Sequence, residues 1–524
     1  MSYSVSHSVS HSMPQDLPDA ASPSAGGFSG WIERRPRAAF GWFLALHFTL
    51  WTLLPTLFYA NLPLDLIEAV TYGREWQLGY DKLPPLPWWL VEIMHRLFGV
   101  DAGYYALGQL SVVIAFAFVF MTARPLVGAA GALVAVLIID GMHYFQFTAV
   151  KFNHDVVQLP FWALAGYAFH AALRRGRMLH WALLGFALGA ALWAKYFVVV
   201  LAAPYALLML FDARARRAFR TPGPWLALVV ALVIAAPHVA WLVKTDFLPF
   251  AYASHRAAPV RGWFDHVLHP LNFAASQVFF MLPSLFIALA MFWPPPAPDA
   301  ARPAAIDDFD RRIATVIAFG PGLTMIALTA ISGRGTFAMW GYPLWIYVGL
   351  WLVMNAPVAF DRPRLTRIVA AWATVFVLFA VVFAANYSVL PLFDHRYRAV
   401  FFPGDALGAT LTQRFHDATG KPLRYVIGSM WDGGNLAHYS PDQPQVLIDG
   451  LPQRAPWIDL GDLRRDGAVV VWTEGDTATL PPEFAAVAPG ATVGAPFDLP
   501  MRRGQGAVHV GWAVLKPQPT QPAR

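Results

Sequence analysis

Long apolar runs recur along most of this chain, and short polar stretches rich in Arg and Lys separate them. A membrane-spanning helix needs about 20 mostly apolar residues, and eleven segments reach or approach that length. These segments lie at roughly 38–60, 103–122, 127–146, 157–173, 179–194, 197–211, 224–243, 272–293, 313–331, 342–356 and 368–388. The pattern predicts an all-α polytopic membrane protein with about eleven transmembrane helices.

The two ends of the chain have a different composition from the middle. Residues 1–33 are polar and low in complexity without the apolar core of a signal peptide, so we expect a disordered cytoplasmic tail. After residue 388, short β-like runs alternate with Pro, Gly and Asp, which predicts a small external α/β domain over 389–517 and a polar tail over 518–524. The transmembrane module then covers residues 34–388.

The loops between the predicted helices differ in charge. One alternating set contains almost twice as many Lys and Arg residues as the other set. The positive-inside rule assigns the richer set, and with it the N-terminus, to the cytoplasm. An odd number of spans then puts residues 61–102, the first external loop, and the C-terminal domain outside. The expected location is the inner (plasma) membrane of a bacterium.

Composition agrees with lipid as the main solvent. Charged residues make up 13% of the chain, against about 25% in an ordinary soluble protein. The net charge of +6 is read as an orientation signal, and no nucleic-acid partner is expected. The chain contains no cysteine, which excludes disulfides, thiolate catalysis and Cys-based metal sites.

Part of the first external loop, PPLPWWLVEIMHRLFG, is too short to span a membrane and too apolar to leave it. In a helix, Glu92 and His95 fall on one face, whereas Ile93 and Leu97 fall on another. This distribution predicts a helix that lies in the membrane interface.

Polar residues close to the external membrane surface are the candidates for chemistry. Asp65 and Glu68 follow the first span, and their spacing of three residues puts both carboxylates on one face of a helix. A charge so close to the membrane is costly unless it is used. The second external loop, KFNHD, contains Lys151, Asn153, His154 and Asp155. A solvated loop charge is the alternative for each of these side chains.

Several motifs together resemble the GT-C superfamily, in particular the family 39-like transferases. That group includes protein O-mannosyltransferases and the bacterial lipid A aminoarabinose and galacturonic acid transferases. The similar segments are the acidic pair, YDKLPPLPWWL from Tyr80 to Leu90, KFNHDVVQLPFWAL, AKYF at 194–197, and GRGTFAMWGYPLW at 333–345. Two features depart from the family pattern: two residues separate the acidic pair, and Leu83 intervenes between Lys82 and the prolines.

The resemblance implies sugar transfer from a polyprenyl phosphate donor. Phosphate leaves without a general acid but needs cations, while an acceptor hydroxyl needs a carboxylate base. We predict Asp65 as the base and Glu68 as a second catalytic residue. The predicted donor-phosphate residues are Lys82, Lys151, Arg256, Arg261 and Arg334, and the predicted supporting residues are Tyr80, Asp81, Asn153, Asp155 and Lys195. A simple turn is the alternative role for Arg334, and snorkelling to the surface is the alternative for Lys195.

No cofactor is firmly implied, and a divalent metal stays an open alternative. The candidate ligands are Asp81, His154, His255 and His266, with His269 nearby in the sequence. None of these candidates forms an HExxH or HxxxH pair, the spacing that puts two ligands on one helical face.

The expected function is a membrane glycosyltransferase on the external face of the inner membrane. Nucleotide sugars are cytoplasmic, so an outward-facing site requires a lipid-linked donor. The expected partners are this polyprenyl-phosphate sugar, membrane lipids and an envelope acceptor such as lipid A, another glycolipid, a polysaccharide or a protein. A multipass transporter or flippase is the main alternative, although the chain shows no repeated halves. A membrane protein with only a structural or assembly role is the third reading.

Overall fold

The structure is a computed structural model that describes residues 28–256, 259–293, 295, 306–356, 358–394, 396–504 and 506–518. The chain up to residue 388 within those ranges is helical, and its first helix includes the last residues of the predicted disordered tail, whose remaining residues lie outside the described ranges. Its helices are α1 (Phe28–Arg34), α2 (Pro36–Phe58), α3 (Leu64–Gly73), α4 (Leu86–Phe98), α5 (Asp101–Asp140), α6 (His154–Arg175), α7 (Met178–Ala194), α8 (Val198–Phe211), α9 (Ala213–Arg216), α10 (Gly223–Lys244), α11 (Leu248–Arg256), α12 (Asp265–Leu289), α13 (Asp308–Ser332), α14 (Val348–Asn355) and α15 (Arg362–Ser388).

Among the described residues, seven helices are long and apolar enough to cross a membrane, or eight if a bent pair counts as one span. The seven are α2, α5, α6, α10, α12, α13 and α15, and the bent pair is α8 with the segment Ala213–Arg220, which turn by 87°. The chain is therefore a multi-pass membrane protein, but the predicted count of eleven is not confirmed.

The difference in count has two causes. The range Asp101–Asp140, named α5 here, consists of two helical segments that meet at Gly128, whose backbone angles are non-helical (φ 72°, ψ 174°), so the count of seven takes the predicted spans 103–122 and 127–146 together as one. The helices that correspond to 179–194, 197–211 and 342–356 have only 17, 14 and 8 residues. These are shorter than the roughly 20 residues that a perpendicular span requires.

The helices differ in how far the protein surrounds them. The most apolar window of α6 is 78% buried inside the protein, whereas that of α10 is 22% buried. Large apolar side chains such as Leu232 and Val233 on α10 are correspondingly exposed. Helix α6 thus runs through the middle of the bundle, and α10 presents its side chains to lipid.

Residues 404–515, where the sequence predicts an α/β domain, contain one mixed sheet and four helices. The elements are α16 (Gly404–Thr419), β1 (Tyr425–Gly428), α17 (Met430–Tyr439), β2 (Gln445–Ile448), α18 (Leu460–Asp466), β3 (Ala468–Trp472), α19 (Pro482–Ala485), β4 (Thr492–Val493), β5 (Phe497–Pro500) and β6 (Ala507–Leu515). The strand order is β2-β1-β3-β6-β4, with β5 also paired to β6. Strands β1 to β3 are parallel, and β6 is antiparallel to its neighbours. Every residue of β3 is buried, as expected for an apolar strand covered on both faces.

This C-terminal region packs directly on the first loop. Helix α17 lies against α3, and the Leu62 amide donates a hydrogen bond to the Tyr439 hydroxyl at 3.3 Å. The guanidinium of Arg74 donates to the Gln443 carbonyl at 3.0 Å. The first loop and the C-terminal region therefore lie at the same end of the helix bundle.

The predicted cytoplasmic loops also meet one another. Asp307, at the start of α13, pairs with Arg174 from the end of α6 at 3.3 Å and with Arg214 of α9 at 2.9 Å. Arg312 pairs with Asp212 at 2.7 Å. Loops that are far apart in sequence therefore form a single charged network.

The predicted interfacial helix is present as α4. Trp88 and Val91 are buried against the protein, whereas Leu97 and Phe98 are exposed. Gly99 ends the helix in the left-handed region (φ 64°), which glycine adopts without steric cost. This exposed apolar edge agrees with contact to a membrane surface.

Candidate active site

The two predicted catalytic carboxylates both lie on α3. Leu66, Ile67 and Val70 bury one side of this short helix, which leaves Asp65 and Glu68 together on another side. Asp65 occupies the first helical turn, where unpaired backbone amides favour a negative charge.

Asp65 and Glu68 line a cavity of about 220 Å³ that is called the first cavity below. It is formed by the first loop, the N-terminus of α6, the α7–α8 junction, α11 and the 3₁₀ turn Ala338–Gly341. Its lining residues are Asp65, Glu68, Lys82, Leu83, Trp88, Asn153, His154, Asp155, Lys195, Tyr196, Phe197, Phe250, Tyr252, Met339 and Trp340.

Two lysines in the first cavity each pair with a carboxylate. Lys82 Nζ lies 2.8 Å from Glu68 Oε2, and Lys195 Nζ lies 2.6 Å from Asp155 Oδ1. Burial raises the pKa of Glu68, and the neighbouring Lys82 opposes that rise only in part. Burial would lower the pKa of Lys82, but attraction to Glu68 and their hydrogen bond outweigh it, so the pKa is raised. Lys82 is therefore a stable cation near neutral pH.

Asp65 differs from the other two carboxylates because no Lys or Arg pairs with it in the part of the chain that the structure describes. Its Oδ2 accepts a hydrogen bond from Asn153 Nδ2 at 2.9 Å. Asn153 is also the N-cap of α6, where its Oδ1 accepts from the amides of Asp155 and Val156. This capping bond fixes the amide so that its NH₂ group points towards Asp65. Asp65 is thus an oriented carboxylate whose charge is not neutralised by a side-chain cation.

A second cavity, of about 300 Å³, opens on the other side of Asp65. Its lining residues are Pro63, Leu64, Asp65, Lys151, Asn386, Tyr387, Arg398, Ala399 and Val400. Lys151 therefore lies in a different cavity from Lys82, although the sequence analysis assigns both to the donor phosphate. Asp65 is the residue that the two cavities share.

Aromatic rings surround the cations of the first cavity. Lys195 Nζ lies 4.5 Å from the centre of the Phe197 ring and 5.6 Å from that of Trp340. Lys82 Nζ lies 5.6 Å from the centre of the Tyr252 ring. The faces of these rings attract a cation and exclude water, which strengthens charge interactions inside the cavity.

Tyr80 and Asp81 support the site from outside both cavities. The buried Tyr80 hydroxyl donates to the Tyr72 carbonyl at 2.7 Å. Asp81 accepts from the Tyr72 hydroxyl at 2.6 Å and pairs with Arg454 at 2.8 Å. These contacts hold the chain on the N-terminal side of Lys82.

The predicted external arginines are not brought to Asp65. Arg261 is exposed, and Arg334 donates to the Ser254 carbonyl at 3.0 Å. Neither of these two described side chains lines the first or the second cavity. The side chains of Arg256 and His255 lie outside the described residues.

The metal candidates have other partners. His154 bonds the Pro84 carbonyl at 3.0 Å, His266 bonds the Ala330 carbonyl at 2.8 Å, and His269 bonds the Gly333 carbonyl at 2.8 Å. Asp81 is engaged by Tyr72 and Arg454, as described above. Within the described ranges, no three His, Asp or Glu side chains group closely enough to hold a metal ion.

Some cavity residues were not assigned from sequence. Tyr196, Phe197 and Trp340 fall inside the motifs AKYF and GRGTFAMWGYPLW, so the motifs contained a signal that was not interpreted. Arg398 follows the last span on the predicted external side, which is a weak signal. No sequence pattern pointed to Arg454, which reaches the first loop from 373 positions away.

The chain matches a protein-family model over part of its length. Residues 82–241 match the family described as dolichyl-phosphate-mannose-protein mannosyltransferase. That segment includes Lys82, the KFNHD loop and Lys195. A curated relative, the lipid A galacturonosyltransferase RgtD of Rhizobium johnstonii, is 27% identical over 264 residues, or 48% of this chain and 53% of that protein. The matched chain thus spans about half the length of this relative.

Solved structures show the same fold over nearly the whole length. ArnT from Cupriavidus metallidurans in the apo state superposes with a TM-score of 0.58 at 15% identity, covering 91% of this chain and 98% of ArnT. The same protein bound to undecaprenyl phosphate gives 0.59 at 14% identity, covering 93% and 98%.

Proposed function

We propose that this chain is a glycosyltransferase of the GT-C type and that it moves a sugar from a polyprenyl phosphate to a hydroxyl of an envelope acceptor. The observation that carries this proposal is the position of Asp65. It is an oriented carboxylate without a cationic partner among the described residues, next to a cavity that contains Lys82 and Lys195. A base beside two cations is what transfer from a phosphate leaving group requires.

In the proposed reaction, the acceptor oxygen attacks the anomeric carbon of the donor. The bond from that carbon to the phosphate oxygen breaks, and its electron pair leaves with the phosphate. Asp65 takes the proton of the acceptor hydroxyl, while Lys82 and Lys195 stabilise the negative charge that grows on the phosphate. The products are a glycosylated acceptor and a polyprenyl phosphate.

Glu68 and Asp155 have a positioning role in this scheme. Each holds one lysine by an ion pair shorter than 3 Å. Glu68, which the sequence analysis assigns as a second catalytic residue, therefore acts through Lys82 in the proposal. The aromatic rings of Phe197, Tyr252 and Trp340 line the first cavity, to which the proposal assigns the donor.

Two finer points also belong to the proposal. The site faces the external side of a bacterial inner membrane, an orientation supported by the distribution of Lys and Arg and by the charged network among the opposite loops. Lipid A is the first acceptor to test, because the matched curated relative is a lipid A galacturonosyltransferase. Undecaprenyl phosphate is the carrier to test, because it is bound in one ArnT structure.

The test compares sugar transfer by membranes that contain the wild type, Asp65→Asn or Asp417→Asn at equal expression. The substrates are radiolabelled undecaprenyl-phosphate sugars and lipid A. Asn keeps the shape of Asp65 but cannot take the proton, so we expect at least about a hundredfold loss of transfer, the range for a general base. The exposed Asp417 serves as the matched control and should transfer label like the wild type.

Other results would redirect the proposal. Equal transfer by Asp65→Asn and the wild type would show that Asp65 is not the base. Label that crosses the membrane on its carrier without joining any acceptor would indicate a flippase instead.

A further inference from the structure

We propose that the second cavity binds an anionic group of the acceptor, a phosphate or carboxylate, and that Lys151 is its main contact. This inference rests on the proposed function, because it assigns the two cavities beside Asp65 to the two substrates. It moves Lys151 from the donor phosphate, its predicted role, to the acceptor.

The shared position of Asp65 leads to this division. A base must contact the acceptor hydroxyl. That hydroxyl must in turn lie within reach of the anomeric carbon that carries the leaving phosphate. The cations suited to the donor phosphate, Lys82 and Lys195, line only the first cavity. The acceptor then reaches Asp65 from the second cavity.

Lys151 differs from the other two site lysines. Lys82 and Lys195 are paired with carboxylates, whereas the ammonium of Lys151 has no hydrogen-bond or ion-pair partner among the described residues. It is half-buried in a cavity, where an unmatched charge is costly. An anion brought by a substrate would supply the missing partner.

Arg398 gives the second cavity a fixed donor group. Its guanidinium donates to the Asn386 carbonyl at 2.6 Å and pairs with Asp394 at 2.7 Å. These contacts hold the guanidinium in place, and its Nε is buried without a described partner. A rigid guanidinium beside a free ammonium is a common arrangement for binding an oxyanion.

There is also room for a larger acceptor beyond this cavity. A third cavity, of about 480 Å³, shares Leu64 and Ala399 with the second. Aromatic and hydrogen-bonding side chains from the C-terminal region line it, namely Tyr397, Phe402, Trp431, Thr473, Glu474 and His509. The second cavity thus shares Asp65 with the first cavity and Leu64 and Ala399 with the third. The acceptor class is a sugar-bearing molecule with an anion close to its reacting hydroxyl.

The test measures KM for the donor and for the acceptor separately, using purified wild type, Lys151→Gln, Lys151→Arg and Lys421→Gln. The acceptor probes are phosphorylated lipid A and lipid A from which phosphate has been removed. We expect Lys151→Gln to raise the KM for phosphorylated lipid A about tenfold or more, as for loss of a charge-assisted hydrogen bond, and to leave the donor KM unchanged. It should also lose the preference for the phosphorylated probe. Lys151→Arg should restore most of the affinity, and the exposed Lys421 is the matched control.

Two outcomes would contradict the assignment of Lys151 to the acceptor. A raised donor KM with an unchanged acceptor KM would return Lys151 to the donor phosphate and overturn the inference. Equal use of both probes by the wild type would also overturn it.

A binding measurement separates this inference from the proposed function. Tryptophan fluorescence reports binding of each lipid A probe to the donor-free protein, whether or not transfer occurs. No transfer by the wild type would refute the proposed function for these substrates. Weaker binding of phosphorylated lipid A by Lys151→Gln would still support the anion site, and equal binding by both proteins would refute it.

Discussion

At the scale of single residues, the site depends on which charges are paired. Glu68 neutralises Lys82, Asp155 neutralises Lys195, and Asp65 is left with the amide of Asn153. The three carboxylates have the same chemistry, and in the proposed reaction only their neighbours distinguish the base from the positioning groups. The sequence analysis predicts that Asp65 and Glu68 share a face and assigns both of them to catalysis, whereas the proposed function gives Glu68 the role of positioning Lys82.

The pKa of Lys82 gives a prediction for Glu68→Gln. Burial lowers the pKa of Lys82, while Glu68 raises it, and the net effect in the protein is a rise. Removing the carboxylate leaves the effect of burial opposed only by the smaller influence of Tyr252, so Lys82 loses its proton at a lower pH. We expect the alkaline limb of kcat/KM for sugar transfer to move to lower pH, with about a tenfold or greater loss above neutral pH.

The measurement is a pH profile of transfer with the exposed Glu483→Gln as the control. An alkaline limb that stays at its wild-type position would contradict the role of Glu68 in keeping Lys82 charged.

At the scale of elements, the C-terminal region helps to shape the first loop. Arg454, from the 3₁₀ turn Pro452–Arg454, pairs with Asp81 and also contacts Asp449 and the Tyr72 hydroxyl. Trp457 packs on the rings of Tyr72 and Tyr80. The segment before Lys82 therefore depends on residues from a distant part of the chain.

Removing the ion pair between Arg454 and Asp81 should change the position of Lys82, the next residue in the chain. In Arg454→Ala, Asp81 keeps its partly buried charge without its cation and can compete with Glu68 for Lys82. We expect a several-fold rise in donor KM and a lower unfolding temperature, with partial rescue by Arg454→Lys. A double-mutant cycle with Asp81→Asn should give a coupling of about 0.5–3 kcal/mol, and no coupling would contradict the account.

A second inter-element contact lies inside the bundle. His47 of α2 lies 2.9 Å from Asp140 at the end of α5, and both side chains are fully buried. Asp140 also accepts a hydrogen bond from the Trp372 indole of α15 at 2.6 Å. Three helices thus meet at one polar cluster, in surroundings where an unpaired polar group is costly.

Removing one partner of this pair should destabilise the bundle. We expect Asp140→Ala to lower the free energy of unfolding by about 1–3 kcal/mol, the usual cost of leaving buried hydrogen-bonding groups without their partner. Thermal or denaturant unfolding in detergent measures the change. The lipid-facing Leu232→Ala is the control, and an equally small effect of both substitutions would argue against a stabilising role for the cluster.

At the scale of the whole molecule, the proposed orientation across the membrane can be tested by labelling. The chain has no cysteine, so single introduced cysteines can be labelled without a background. We expect an impermeant thiol reagent to label Ser332→Cys and Thr419→Cys in intact cells, and Thr221→Cys only after permeabilisation. The reverse pattern would place Asp65 in the cytoplasm and remove the need for a lipid-linked donor.

The fold was predicted from the sequence in outline. The eleven apolar segments all correspond to helical or helix-containing parts of the structure, and the resemblance to GT-C glycosyltransferases is confirmed by the comparisons. The number of spans is not confirmed, because hydropathy identifies apolar segments but does not show how neighbouring helical segments are joined. Two helical segments of α5 meet at Gly128, and the chain bends by 87° after α8.

The sequence by itself determined that the chain is a multi-pass membrane protein and which polar residues follow the apolar segments. Hydrophobicity and charge act locally, so apolar length, loop charge and the motif around Asp65 can be read along the chain. The tertiary structure decided which charges meet. Lys195 pairs with Asp155, Arg454 pairs with Asp81, and Lys151 lies in a different cavity from Lys82. Each of these relations involves residues that are far apart in sequence. Such contacts depend on how the helices and the C-terminal region pack, and no local pattern contains that information.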